Sequence, residues 1–183
     1  MSVSFLLETE RLTLCELSLQ DAGFILELLN EPSFLRFIGD RGVRTLDDAL
    51  GYLTKGPIAS YARNGFGLWR VQFKNTGEVI GICGLVKRDS LSGLDIGYAF
   101  LERFWSKGYA TEAARAVKKY AMAPIGDESD SHGLGLQRLF AVIDPENLFS
   151  DRVLEKLGFR QNEGLVRLSA HGPELKMYVV QSM

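Results

Sequence analysis

Two stretches of the chain hold residues whose types and spacing suit chemistry. The first is Trp105-Ser106-Lys107-Gly108-Tyr109-Ala110-Thr111-Glu112. An alternating apolar run, Leu94–Phe100, precedes it, and Ala110, Ala113, Ala114, Val117 and Ala121 follow at helical spacing. The junction is therefore strand, short loop, helix. At such a junction the N–H groups of the first helical turn lack partners and point one way, and the helix dipole adds partial positive charge. A phosphate or pyrophosphate can be held there by backbone alone. Gly108 lets the backbone approach closely, Ala110 keeps the next position small, and Lys107 adds a cation. The spacing is not that of a Walker loop, since no Gly-Lys-Ser/Thr follows a four-residue spacer, nor of the Gly-x-Gly-x-x-Gly dinucleotide fingerprint.

The second stretch is Asn147-x-x-Ser150-x-x-Val153-Leu154, with Leu157 continuing the helical spacing and Gly158 at its end. Asn147 can donate to and accept from the amides of a ligand, and it can equally cap the helix. Ser150 offers a hydroxyl, or a local bond to the helix start. Asp95 on the strand before the loop is one candidate general base, and Glu16 and Glu174 are others; each is equally a solvated carboxylate. The residue order shows no Ser-His-Asp or Cys-His arrangement, which disfavours an acyl-enzyme. Cys15 and Cys83 sit in apolar runs and read as buried thiols. His132 and His171 lie far apart in polar contexts, without metal-ligand spacing.

The elements that must position these residues follow from the pattern. Leu12–Leu17 reads as a strand, and Ser18 with Asp21 opens a helix that Glu31-Pro32 ends. Thr45 with Asp48 opens a second helix, interrupted or kinked at Gly56-Pro57. Phe66–Phe73 and Val79–Val86 form a hairpin through Asn75-Thr76-Gly77-Glu78. Gly81 and Gly84 within it suggest bending or close approach of another backbone. After the helix Ala110–Met122 come a loop at Pro124–Gly135, a strand Leu139–Ile143 and a helix Asn147–Leu157. Two last strands, Phe159–Leu168 and Glu174–Val180, join through His171-Gly172-Pro173. The order β-α-α-β-β-β-α-β-α-β-β predicts a mixed sheet with helices on both faces, in one domain spanning 1–183. The formal net charge of −2 and pI near 5.8 argue against a dedicated nucleic-acid binder. No apolar run approaches a membrane span and no basic, then apolar, leader opens the chain, so a cytoplasmic location is expected.

Trp105–Ala113 resembles the Q/R-x-x-G-x-G/A loop of the GNAT superfamily of acyl-CoA N-acyltransferases. It is closest to the branch with Trp-x-Lys-Gly-Tyr-Ala-Thr-Glu-Ala, which holds the ribosomal-protein N-terminal acetyltransferases. The opening Glu8-Thr9-Glu10-Arg11-Leu12-Thr13-Leu14 resembles the same branch, where Arg usually stands at the position of Cys15. Asn147–Phe159 resembles the second superfamily signature. The likeness runs from about Glu8 to Tyr178. It implies an α/β fold of the GNAT type: a central, mostly antiparallel sheet, helices on both faces, and a splayed strand pair holding acyl-CoA.

The resemblance also implies acetyl-CoA as cosubstrate and direct transfer of acetyl to a primary amine. The acceptor is a protein N-terminus or a small amine such as an amino acid, polyamine or antibiotic. A non-catalytic acyl-CoA-binding regulatory domain is the alternative of another class. Backbone amides of Trp105, Ser106, Lys107, Gly108, Tyr109, Ala110 and Thr111 are implied around the pyrophosphate. Tyr98, Ala99 and Phe100 are implied beside the pantetheine, with Asn147 on the pantetheine arm. Many relatives place a Tyr, which protonates the thiolate, where Leu154 stands; the acid role passes to Ser150, the nearest hydroxyl. Phe34, Phe37, Ile38 and Tyr52, in helices that often flank the acceptor cleft, are candidates to line it or to pack the core. The partners implied are acetyl-CoA and an amine, with no nucleic acid or membrane, for a monomer or homodimer.

Overall fold

The computed structural model describes residues 5–125 and 133–182. The expected loop at 124–135 therefore falls largely outside the described residues, and His132 falls outside them altogether. Eight strands form one sheet in the order β1-β2-β3-β4-β5-β6-β8-β7. They are β1 (Phe5–Glu8), β2 (Leu12–Glu16), β3 (Leu68–Phe73), β4 (Val79–Lys87), β5 (Leu94–Phe100), β6 (Arg138–Ile143), β7 (Arg160–Arg167) and β8 (Glu174–Gln181). The helices are α1 (Ala22–Leu29), α2 (Pro32–Phe37), α3 (Leu46–Leu53), α4 (Ala59–Asn64), α5 (Tyr109–Met122) and α6 (Leu148–Lys156). Neighbouring strands are antiparallel except β5 and β6, which are parallel and share a single residue pair, Asp95 with Phe140.

Each face of the sheet carries its own core. On one face α5 lays Ala113, Ala114, Val117 and Ala121 against Trp69, Val71, Leu85 and Ile96. Alanine at three of the four positions lets the helix axis come close to the strands. On the other face α1 and α3 pack Ile25, Leu28, Leu29 and Leu53 against Ile82 and Leu101. The expected capping boxes are both formed, Ser18 with Asp21 and Thr45 with Asp48. A π-helical turn at Thr54–Ile58 absorbs Pro57 between α3 and α4.

Two elements differ from the sequence expectation. Pro32 ends α1 as expected, but it also stands at the first turn of a new helix, α2, where its missing N–H costs nothing. Strand β1 is an element the sequence pattern does not predict; its four residues have no alternation to mark them, and pairing with β2 creates the strand.

The β1–β2 turn is fastened to α5. The Thr9 hydroxyl donates to Glu112 Oε1 at 2.6 Å, Arg11 N donates to the same oxygen at 2.9 Å, and Arg11 Nε donates to Oε2 at 2.7 Å. Burial alone would raise the Glu112 carboxyl, but these donors and the Arg11 charge outweigh it and hold it below its ordinary 4.5. The carboxylate thus contributes stability above the ordinary value, and that contribution is lost as pH falls through the depressed one. Glu112→Gln should therefore be less stable than wild type at pH 7. The gap between the two, followed by urea unfolding, should narrow as pH is lowered below about 4.5. A gap independent of pH would show that the carboxylate charge plays no part.

Gly84 makes the second stability prediction. A Cβ there would lie 2.0 Å from the carbonyl oxygen of Gly67, which itself accepts from Leu85 N at 3.0 Å. Backbone stands in the way, so nothing cheap can move. Gly84→Ala should lower unfolding stability by about 2 kcal/mol or more, and a urea midpoint equal to wild type would contradict the close approach.

Candidate active site

A cavity of about 300 Å³ opens where β5 and β6 part. Beyond the Asp95–Phe140 pair the two strands no longer bond, so the β6-facing edge of Gly97–Phe100 has no ladder partner among the described residues. The gap lets the cavity pass through the sheet. Tyr98 and Phe100 reach it from the α5 face, and Ala99 from the α1 face. An edge of free peptide groups in a narrow slot suits an amide-bearing, extended ligand arm.

The loop between β5 and α5 forms one end. Ser106 has φ 61° and Gly108 has φ 84°, so two left-handed residues flank Lys107. Backbone N–H groups in such a succession form an anion-binding concavity, and α5 continues it with the free N–H groups of its first turn. Ser106, Gly108, Tyr109, Ala110 and Thr111 all border the cavity. A left-handed serine is a strained choice, which the surrounding contacts must hold in place. Trp105 supplies one of them: its Nε1 donates to Phe100 O at 2.7 Å, and its ring packs at a tilt against Phe149 of α6 with centroids 4.9 Å apart. Arg11 supplies another from behind, donating to Lys107 O at 3.2 Å while its guanidinium lies 4.5 Å above the Tyr109 ring.

Lys107 itself does not border the cavity. Its ammonium donates to Arg103 O at 3.0 Å and lies 5.6 Å over the Phe104 ring. The cations that do face the cavity are Arg152 and Lys156, one turn apart on α6. The sequence pattern of Ser150, Val153, Leu154 and Leu157 marks a different face of that helix and gives no signal for them. The face turned to the cavity is Phe149, Arg152, Val153 and Lys156, at i, i+3, i+4, i+7 spacing, with Ser150 at its margin. Leu154 is fully buried in the core.

Asn147 both borders the cavity and caps α6, its Oδ1 accepting from Ser150 N at 3.1 Å. Its amide nitrogen remains as a donor for a ligand. The Ser150 hydroxyl has no hydrogen-bond partner among the described residues, so the local bond that a helix-start serine often makes is absent there. Ser150 O accepts from the Tyr98 hydroxyl at 3.4 Å. Burial raises the Tyr98 phenol well above its ordinary value, outweighing that hydrogen bond, so the group stays protonated at neutral pH.

Asp95 lies apart from the cavity. It is 1% exposed, and Arg88 Nε donates to both its oxygens at 3.0 and 3.1 Å. Burial pushes its carboxyl up against the pull of Arg88. The ion pair closes the joined end of the slot, on the strand rather than in the opening. Glu174 pairs with Arg167 at 2.9 Å on the surface, and Glu16 does not border the cavity either. Among the described residues no carboxylate lines the opening.

The opposite wall is α2 with the end of α1. Phe34, Phe37 and Ile38 border the cavity, whereas Tyr52 packs into the second core. The wall is pinned to the turn after β5. Glu102 accepts from Ser33 N and donates its own N–H to Glu31, both at 3.0 Å. Arg103 pairs with Glu27 at 2.6 Å. Arg36 reaches from α2 to Glu146, just before α6, at 3.0 Å.

Comparisons with known proteins agree with this geometry. A family model described as an acetyltransferase (GNAT) domain matches residues 11–160. The chain is 30% identical to the uncharacterized N-acetyltransferase p20 of Bacillus licheniformis over 165 residues, covering 88% of this chain and 85% of that one. An acetyltransferase structure from Agrobacterium tumefaciens superposes with a TM-score of 0.75 at 27% identity, over 100% of this chain and 96% of that one. The fold is also that of the ribosomal L7/L12 α-N-protein acetyltransferase RimL in complex with coenzyme A, with a TM-score of 0.76 at 14% identity, over 97% and 98% of the two chains. No helix among the described residues is long and apolar enough to cross a membrane. A mixed sheet parted between two parallel strands, an anion-holding loop at one end of the gap, and a sequence match over most of the chain lead to one conclusion: this is a GNAT-family N-acetyltransferase, and acetyl-CoA is its cosubstrate.

Proposed function

We propose that the chain moves the acetyl group of acetyl-CoA directly onto an α-amino group, that of a peptide N-terminus. The observation that carries this is the through-sheet cavity, with an anion-holding end on the α5 side and a wall free of carboxylates on the α2 side. In this reading the N–H groups from Ser106 to Thr111 hold the pyrophosphate, and Arg152 and Lys156 complement the remaining phosphate charge. The Trp105 N–H, expected there too, is taken by Glu102 O at 3.0 Å. The β6-facing edge at Tyr98, Ala99 and Phe100 runs beside the pantetheine, with the Phe100 carbonyl already taken by the Trp105 indole, and the Asn147 amide bonds the arm. The thioester then lies in the gap, open to an amine arriving past α2.

Attack on the thioester carbonyl needs a neutral amine. No carboxylate is present in the described opening to take its proton, so the proton leaves through water, and positioning supplies most of the rate. An α-amine, with a pKa near 8, is neutral in useful amounts under these conditions, while a lysine-like amine near 10 is not. As the C–S bond breaks, the sulfur needs a proton; the unpartnered Ser150 hydroxyl passes its own to the sulfur and regains one from the water that took the amine proton, so that the amide and the free thiol are the only products. Leu154 cannot. Asp95 is assigned a structural role, as the anchor of β5 through Arg88.

Gly108→Val places a β-branched residue at φ 84° and should weaken CoA binding strongly, by about tenfold or more in calorimetry. Wild-type affinity in that variant would remove the pyrophosphate assignment. The transfer step is tested by free thiol release from acetyl-CoA with a short peptide as acceptor. The rate should climb with pH up to roughly 8. Ser150→Ala should lower turnover by about 100-fold while CoA affinity stays near wild type, because the interaction is made as the thiolate leaves. Unchanged turnover would leave Ser150 as part of the helix start and nothing more.

A further inference from the structure

The half of the cavity left to the acceptor has a chemical character of its own. Leu28, Phe34, Phe37, Ile38 and Phe104 face it, and Ser33 adds a single hydroxyl. Ile38 keeps 39% of its surface in water at the mouth. An exposed apolar side chain at the mouth of an apolar opening that leads to the reacting atoms loses water when an apolar group enters. Charge points the same way. A polyamine or a lysine-like acceptor carries a second cation that would need a carboxylate, and none lines the described opening. A free amino acid carries a carboxylate that would need a cation; Arg36 on this wall pairs with Glu146 at 3.0 Å, and the cations that face the cavity, Arg152 and Lys156, stand on α6, assigned above to the phosphates.

Resting on the α-amine reading above, we propose that the acceptor is a peptide or amide whose first residue has an apolar or aromatic side chain, seated against α2. The amine reaches the thioester through the gap beside Ala99, the side chain lies on Phe37 and Ile38, and the amide that follows has no charge to satisfy. This orders acceptors by properties other than the amine itself. Leucinamide and phenylalaninamide should surpass glycinamide, and all three should surpass lysinamide, free leucine and spermidine.

The test is kcat/KM for thiol release from acetyl-CoA with these six acceptors, in wild type and in Ile38→Asp. Leucinamide should exceed glycinamide by about tenfold or more in wild type, the range given by one side chain in an apolar pocket. In Ile38→Asp the order should move toward lysinamide, while CoA affinity by calorimetry stays near wild type and shows that the variant is folded. Equal values for glycinamide and leucinamide, or spermidine ahead of both, overturn the proposal while leaving acetyl transfer in place. If no amine releases thiol, the α-amine reading fails. Titration of leucinamide and glycinamide into the CoA-loaded protein then decides the pocket separately: tighter binding of leucinamide, lost in Ile38→Asp, supports it, and no difference overturns it.

Discussion

Everything in this molecule that bears on acetyl transfer depends on two neighbouring parallel strands that bond at one residue pair and then separate. A sheet normally closes its ladders because an unpaired buried peptide group is costly. Here β5 and β6 leave theirs open past Asp95 and Phe140, and the edge of β5 faces the cavity instead of a strand. The opening persists because both ends of β5 are held by other means. Arg88 fixes buried Asp95 at the closed end, and the Trp105 indole takes the carbonyl of Phe100 at the open one. Along its other edge β5 pairs with β4 over seven consecutive residues, so the strand cannot drift across to fill the gap.

The two walls of the gap are built separately and tied to the same short segment. The turn Leu101–Phe104 lies directly after β5 and just before the anion-holding loop. Glu102 holds the first turn of α2, Arg103 holds α1, and the Lys107 ammonium bonds back to Arg103 O. A displacement of the loop on one face would therefore be felt by the helix wall on the other. That linkage fits a reaction in which two substrates enter from opposite faces and must meet within bonding distance.

Much of this could be read from sequence because its signals are local. The face of α5 follows from the spacing of four alanines, the two capping boxes from Ser18 and Thr45 with an aspartate three residues on, and the close approach at Gly84 from a glycine inside an apolar strand. The anion-holding loop follows from Gly108 at a strand–helix junction. What sequence could not supply depends on how elements roll and meet. Pro32 reads as a stop, and only the packing of Phe34 shows that it is also a start. Lys107 suggested a cation in the site, yet its flexible chain finds Arg103 O and the Phe104 ring instead. Asp95 suggested a base, but its inward side of the strand is set by the pleat, and Arg88 meets it across the turn. Arg152 and Lys156 went unnoticed because the roll of α6 about its axis is fixed by tertiary contacts, not by its own pattern.

The fastening of the N-terminal hairpin to α5 has a consequence for how the chain can be recombined. Thr9 and Arg11 are separated from Glu112 by about a hundred positions, 101 for the Arg11 pair, yet the three share one carboxylate directly behind the loop between β5 and α5. That carboxylate sits in the first turn of α5, where a bare negative charge would oppose a phosphate arriving at the same helix end. Arg11 neutralises it from outside the loop. The hairpin and the loop are thus one inheritable unit despite their distance. A chimera that takes its first strands from one relative and the loop before α5 from another keeps this fastening only when the two parents supply a matching arginine and glutamate.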